Sequence, residues 1–340
     1  MPDYAAILTK ITTDVKAYED ALPVRHEACR SQFFFQPRPT ARVCLFFHGF
    51  TAAPYQFVPL GQALFKAGYN VLIPLMPGHG KAGNWSKQNP PPLTTDPQEY
   101  LKFGLQWLKA ASLLGDRLIV GGLSGGGALT AWLALEQAQQ IDRALLFAPY
   151  LSNSNKVIDL FVQKADTYYA WTGPIGYGYP GFATPSLRAF LSIGQYVLNR
   201  VTQTKSAPLF VISSESDRAV SNTDHRTLFE AALKRQPYCW YNRFDRVLDI
   251  PHTMMTTIEG NQYQNLLITM AKAFIESNLT WAEIEEIAYR MTKGKTFNAV
   301  VNELKLNSKV SPDVPAMITM VDKWSIAVDR QLQAIGQFSD

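Results

Sequence analysis

The sequence predicts a doubly wound α/β fold built on a mostly parallel sheet, with one long insertion and a helical C-terminal extension. Three observations lead there. Short apolar runs alternate with helix-like segments along most of the 340 residues, the rhythm that βαβ units produce. One strand-to-helix junction carries Gly122-Leu123-Ser124-Gly125-Gly126, a G-x-S-x-G pattern whose glycines permit a sharp turn and close packing of strand on helix. The chain is 47% hydrophobic and 18% charged, enough for a substantial core and too apolar for general disorder.

The elements follow in order. Residues 43–47 form a short buried-strand candidate. Across residues 54–67, Phe57, Leu60, Leu64 and Phe65 recur at helical spacing. Residues 69–75 read as the next strand. Asp96-Pro97 is a helix start, with a capping aspartate and a proline in the first turn; that helix runs to about Leu114. Residues 118–122 are a strand and 125–139 a helix. Residues 144–148, 209–213 and 239–244 are strands, and 262–277 a helix.

Two segments break this rhythm. Residues 150–205 separate two strands by far more than one crossover helix requires. They are rich in Tyr, Gly and Pro, as in Tyr168-Tyr169-Ala170-Trp171 and Gly176-Tyr177-Gly178-Tyr179-Pro180, and read as an insertion covering the carboxyl ends of the strands. The tail is the other. Trp281, Ile284, Ile287 and Met291, then Phe297, Val300, Val301 and Leu304, then Met317, Val321, Trp324, Val328, Leu332 and Ile335 make amphipathic helix patterns.

Bulk properties exclude several classes. The net charge of +4, from 32 basic and 28 acidic residues, is too mild for a nucleic-acid surface. The three cysteines, Cys29, Cys44 and Cys239, are widely spaced and form no C-x-x-C metal or redox pair. Residues 1–16 lack the apolar block of a signal peptide, and no apolar run approaches the ~20 residues of a membrane helix. The expectation is a soluble, cytoplasmic protein without metal or cofactor.

A serine at such a turn needs a base to become a nucleophile at neutral pH. The chain has five histidines: His26, His48, His79, His225 and His252. On α/β sheets of this kind the base follows the serine and the acid in chain order, which leaves His225 and His252. His225 falls inside a helix pattern, residues 222–233. His252 follows the last strand, on a loop able to reach over the serine, and is preferred. Asp217, just past the strand at 209–213, stands where the acid belongs. Glu215 is its near rival, and Asp249 reads as a turn residue. An oxyanion site needs two backbone N–H groups aimed at developing charge. Gly125, after the serine, supplies one, and Phe50 in His48-Gly49-Phe50-Thr51 is the expected second, with the Thr51 hydroxyl close by. His48 and His79 read as loop-shaping hydrogen bonders.

Together, His48-Gly49-Phe50-Thr51, Pro77-Gly78-His79-Gly80, the Ser124 element, Asp217 and His252 stand in the order of an α/β-hydrolase. Over residues 41–277 the chain resembles that superfamily, and the His-Gly-Phe-Thr and Pro-Gly-His-Gly pair resembles its carboxylesterase and monoacylglycerol lipase branch. The resemblance implies a Ser124–Asp217–His252 triad and a cap inserted between the sixth and seventh strands. Residues 1–149 and 206–278 would then be the core, 150–205 the cap and 279–340 the helical extension, which the compact members of that branch lack. The serines of Ser213-Ser214-Glu215-Ser216-Asp217 stand where glycine is frequent in the family.

The leading functional reading is hydrolysis of carboxylic esters with an apolar acyl group, through an acyl-enzyme, with Tyr168, Trp171 and Tyr177 of the cap lining the substrate site. Thioester hydrolysis or acyl transfer uses the same groups. Dehalogenase and epoxide hydrolase chemistry is disfavoured, because those relatives carry an aspartate where Ser124 stands. A non-catalytic binding protein on the same fold is a rival from another class. The tail at 284–306 has a helix–break–helix outline that a nucleic-acid module would share, but its charge is mixed. Its expected role is packing on the parent domain or forming a homodimer. The expected partner is a small ester or acyl substrate.

Overall fold

A computed structural model of the chain describes residues 3–172, 174–320 and Val328. The elements in chain order are α1 (Tyr4–Asp20), β1 (Gln32–Phe34), β2 (Arg42–Phe47), α2 (Val58–Lys66), β3 (Asn70–Ile73), α3 (Pro97–Ser112), β4 (Arg117–Leu123), α4 (Gly125–Glu136), β5 (Arg143–Phe147), α5 (Lys156–Lys164), β6 (Tyr168–Ala170), β7 (Gly181–Ala183), α6 (Thr184–Arg200), β8 (Leu209–Ser214), α7 (Asn222–Leu233), β9 (Trp240–Phe244), α8 (Gln264–Glu276), α9 (Trp281–Thr292), α10 (Phe297–Glu303) and α11 (Val314–Met320). Seven strands form one sheet in the order β1-β3-β2-β4-β5-β8-β9, and β6 pairs with β7 apart from it. All neighbours in the large sheet are parallel except β1, which runs antiparallel to β3. This is the expected doubly wound architecture.

The parallel strands are buried on both faces, so they read as unbroken apolar runs. Val43 to Phe47 and Ala144 to Phe147 are all fully buried. Helix α3 starts as its sequence dictates, with the Asp96 carboxylate accepting from Gln98 N–H at 2.9 Å and proline in the first turn. Outside the insertion, two elements, α1 and β1, lie beyond the sequence reading. Helix α1 is pinned to the sheet edge by its Tyr4 hydroxyl, which donates to Asn70 Oδ1 at 2.9 Å. Strand β1 is only a three-residue edge strand, too short for a periodicity to form.

The insertion at 150–205 comprises α5, the β6–β7 pair and α6. It lies between the fifth and sixth strands of the sheet, not the sixth and seventh, because only one strand precedes the parallel set. Helix α6 packs on α4. Its Phe190 ring fills the space beside Gly125, where a Cβ would stand 3.1 Å from it.

The C-terminal helices bury their apolar faces within this chain. Ile284, Ile287, Val300, Val301, Val314, Met317 and Ile318 join the main hydrophobic core. Helix α9 opens with a capping box between Thr280 and Glu283, two orphan donors satisfied reciprocally. Trp240 Nε1 of β9 donates to Leu279 O at 2.9 Å, and Asn278 N–H donates to Lys309 O at 2.8 Å. Of the tail pattern, Val321, Trp324, Leu332 and Ile335 lie outside the described residues. Among the described residues, no helix is long and apolar enough to cross a membrane.

Because these helices complete the core, deleting the residues after Ser277 should yield aggregated or markedly less stable protein in size-exclusion and thermal-melting experiments. A milder lesion, Ile287→Ala, should cost about 2–5 kcal/mol by urea unfolding. A truncated protein that stays monodisperse with its melting temperature unchanged would contradict this.

Candidate active site

Strand β4 ends at Leu123 and α4 begins at Gly125, which leaves Ser124 alone at the turn. Its φ of 55° and ψ of −115° lie in a region that costs a non-glycine residue about 1–3 kcal/mol. The surroundings over-determine that conformation. Ser124 N–H donates to Phe147 O at 3.0 Å, and Ser124 O accepts from Ala128 N–H at 2.9 Å and Tyr150 N–H at 2.8 Å. The two outer glycines supply clearance. A Cβ at Gly122 would sit 2.1 Å from Gly126 O, and one at Gly126 would sit 2.2 Å from Phe47 O.

Ser124 Oγ lies 2.9 Å from His252 Nε2, and His252 Nδ1 lies 2.7 Å from Asp217 Oδ2. The sequence spreads these three residues over more than a hundred positions, and the fold brings them into one hydrogen-bonded line. The Asp217 side chain is buried, and its Oδ1 accepts from Ala219 N–H at 2.8 Å and Val220 N–H at 3.3 Å. Burial alone would raise its pKa, but the charge and hydrogen bond of His252, with the Ala219 amide, hold it below the usual carboxylate value. Burial alone would lower the His252 pKa; the charge and hydrogen bond of Asp217, then the charge of Glu259, outweigh it and raise the imidazole above 6.5. Ser214 Oγ donates to Ile250 O at 2.7 Å, tying the histidine loop to the end of β8.

The rival residues stand elsewhere. His225 lies buried in α7, with Nε2 2.8 Å from Pro149 O, and burial takes its pKa down to about 4. Glu215 pairs with Arg243 at 2.8 Å. Asp249 takes a left-handed conformation at the end of a short turn, the role its sequence context suggested.

The loop after β2 is built around two histidines. His48 Nε2 accepts from Met76 N–H at 3.0 Å while Nδ1 contacts Gly49 O at 3.0 Å. His79 Nε2 accepts from Thr51 N–H at 3.2 Å while Nδ1 contacts Pro77 O at 2.9 Å. Each ring therefore works as a neutral donor–acceptor. Burial lowers both pKa values, that of His79 to about 4. Thr51, at φ 66°, is gripped at three points: by His79, by Tyr179 N–H to its carbonyl at 2.8 Å, and by Trp171 Nε1 to its hydroxyl at 2.9 Å. Among the described residues, neither Phe50 N–H nor Gly125 N–H has a hydrogen-bond acceptor. Gly125 opens a helix, where the first amides have no intrahelical partner.

Ser124 and His252 open onto a cavity of about 500 Å³, lined by apolar side chains such as Phe50, Phe161, Tyr169, Trp171 and Phe182. Of the three aromatic residues expected there, Trp171 lines it, but Tyr168 and Tyr177 do not. Successive side chains of a strand point to opposite faces, and in β6 it is the half-exposed Tyr169 that faces the cavity. The Tyr177 ring stacks on His26 at 4.1 Å instead. Sequence reasoning also passed over Glu259 and Gln56, which line the same cavity. Period-two alternation was a signal for Tyr169; no local pattern marks Glu259.

Two consequences can be measured. Gly126→Ala should either misfold or lose Ser124 reactivity, because the added methyl meets backbone rather than a side chain; a variant with native melting temperature and reactivity would contradict this. The buried neutral histidines make stability acid-sensitive. His79 and His225 titrate near 4 when folded and near 6.5 when unfolded. Their contribution is therefore complete above pH 6.5 and is lost as pH falls toward 4. The urea midpoint should drop across that window, and the drop should flatten in a His79→Gln, His225→Asn double variant.

Residues 44–285 match the model of the alpha/beta hydrolase family. A thermostable monoacylglycerol lipase from Bacillus sp. (strain H-257) is 38% identical over 92 residues, covering 26% of this chain and 34% of that protein. The chain thus aligns with about a third of the length of this curated relative. Among solved structures, one chain from work on the metagenome-derived lipolytic enzymes LipS and LipT gives a TM-score of 0.58 at 19% identity, covering 73% of this chain and 98% of that one. A monoacylglycerol lipase from Paleococcus ferrophilus gives 0.55 at 16% identity, with 70% and 94% covered. Est1E from Butyrivibrio proteoclasticus, with ferulic acid bound, gives 0.53 at 15% identity, with 71% and 91% covered. At these identities the structural likeness is one of fold. The family match spans well over half of the sequence, and the chain belongs to the alpha/beta hydrolase family.

Proposed function

We propose that this protein is a serine hydrolase that cleaves carboxylic esters with an apolar acyl group. The observation that carries the reading is the line Asp217–His252–Ser124, with links of 2.7 and 2.9 Å, ending at an apolar cavity. In this reading Ser124 Oγ attacks the ester carbonyl carbon while His252 Nε2 takes its proton. The amides of Gly125 and Phe50 hold the oxyanion. His252 then returns the proton to the leaving alcohol, and the C–O bond breaks to give the acyl-enzyme. Water, deprotonated by His252, attacks that ester and releases the acid and free Ser124. Asp217 keeps the imidazole oriented and stabilises its cation.

Residues 1–149 and 206–278 serve as the catalytic core and 150–205 as the cap, with Trp171 and Tyr169 forming part of the acyl wall. The names of the lipolytic relatives favour an ester over a thioester. A binding protein without chemistry has no need of a strained serine within hydrogen-bond reach of an imidazole that a buried carboxylate orients.

Ser124→Ala should lower turnover of p-nitrophenyl esters by roughly 10⁴-fold or more and abolish labelling by a fluorophosphonate probe. In the parent protein, kcat/KM should fall as pH is lowered, with an inflection above 6.5, because the base works only as the neutral imidazole and its pKa is raised. Acyl chains of graded length, offered as ester and thioester, give the leaving-group preference directly. Folded parent protein that neither labels nor turns over any ester would sink the proposal.

A further inference from the structure

Glu259 is a buried carboxylate, 3% exposed, on the loop that follows His252, and it lines the cavity. Its Oε1 accepts from the Tyr55 hydroxyl at 2.7 Å and from Gln56 Nε2 at 2.9 Å. Its Oε2 accepts from Thr256 Oγ1 at 2.9 Å and lies 3.1 Å from Gln56 Nε2. All these donors are neutral. Among the described residues, no lysine or arginine forms an ion pair with it. Burying an unpaired carboxylate is expensive, so an apolar core would be better served by almost any other residue.

The network has a direction. A carboxylate accepts only, so it forces the Gln56 amide to present Nε2 toward it. The same amide must then present Oε1 the other way, and that atom accepts Gly49 N–H at 2.7 Å. Gly49 directly precedes Phe50. On the other side, Glu259 O accepts from Thr253 Oγ1 at 3.2 Å, next to His252. Glu259 thus joins the two loops, its side chain reaching the Gly49–Phe50 loop through Gln56 and its backbone carbonyl holding Thr253 of the histidine loop. A neutral amide in its place could flip, and Gln56 with it.

We propose that Glu259 is a positioning residue for the reaction: through Gln56 it sets the loop that carries Phe50 N–H, and through its charge it supports the imidazolium that forms on His252. The inference rests on the serine-hydrolase reading. The ionisable groups around His252 are Asp217 on its Nδ1 side, Glu259 on its own loop, and buried His225 from α7, with Arg218 on the same cavity wall. Burial raises the pKa of Glu259 itself, opposed by the hydrogen bonds from Tyr55, Gln56 and Thr256 and by the charge of His252; in its ionised form it adds negative potential to that of Asp217 and raises the His252 pKa.

Two variants separate the mechanical role from the electrostatic one. Glu259→Gln should lower kcat by about 10- to 100-fold with KM nearly unchanged. It should also move the acidic limb of the kcat/KM profile to lower pH by about a few tenths of a unit, since a negative charge near the base is gone. Gln56→Leu keeps the carboxyl group, though without one of its donors, and cuts the link to Gly49; it should lower kcat similarly and move the limb less than Glu259→Gln does. Parental kcat in both variants overturns the positioning role. A fallen kcat in Glu259→Gln with the limb unmoved overturns the electrostatic one. Should Glu259→Gln not fold, Gln56→Leu alone decides through its split between kcat and KM. Parent protein without ester turnover or probe labelling instead removes the hydrolase reading, and this one with it.

Discussion

Ser124 occupies a backbone conformation that serine disfavours, and the rest of the site is arranged around keeping it there. The cost is local, and the restraint comes from three places in the chain: the β5 carbonyl at Phe147, the first turn of α4, and the amide of Tyr150. The clearance is equally non-local. Gly126 faces the backbone of Phe47 and His48, and Gly125 faces a ring from α6. A parallel sheet covered on both faces is the frame that can hold such a turn, since the strands on either side of β4 cannot shift independently.

Electrostatics around the serine follow a simple division. Histidines that shape loops are fully enclosed and neutral, with pKa values pulled down by burial. The histidine beside Ser124 is held above its ordinary value by a carboxylate on its far nitrogen. The same side chain therefore does two jobs in one protein, and the difference lies in what each ring faces: backbone groups for His48, His79 and His225, a buried charge for His252.

Much of this was legible from residue order. Strands buried on both faces announce themselves as apolar runs, and the glycines around Ser124 are required by contacts too close for a Cβ. Chain order selected His252 over His225 and Asp217 over Glu215, and the hydrogen bonds join the selected pair. The legible part ends where tertiary packing decides. Tyr168 and Tyr169 are adjacent and chemically alike, and only the pairing of β6 with β7 determines which one faces the cavity. The edge elements α1 and β1 take their places from contacts with β3. Glu259 gains its meaning from Tyr55 and Gln56, about two hundred positions away, and no local spacing encodes that.

The hydrogen bond from Trp171 to the Thr51 hydroxyl carries a consequence of its own. Trp171 belongs to the inserted segment and lines the cavity, while Thr51 directly follows Phe50. A residue that shapes the substrate's space is thereby mechanically coupled to the loop proposed to hold the oxyanion. Selectivity and rate are not separable modules in such a design. Exchanging the insertion for that of a relative would transplant a preference and at the same time release two of the three grips on Thr51, those of Trp171 and Tyr179. Drift in the insertion must therefore pass through sequences that still hold this loop.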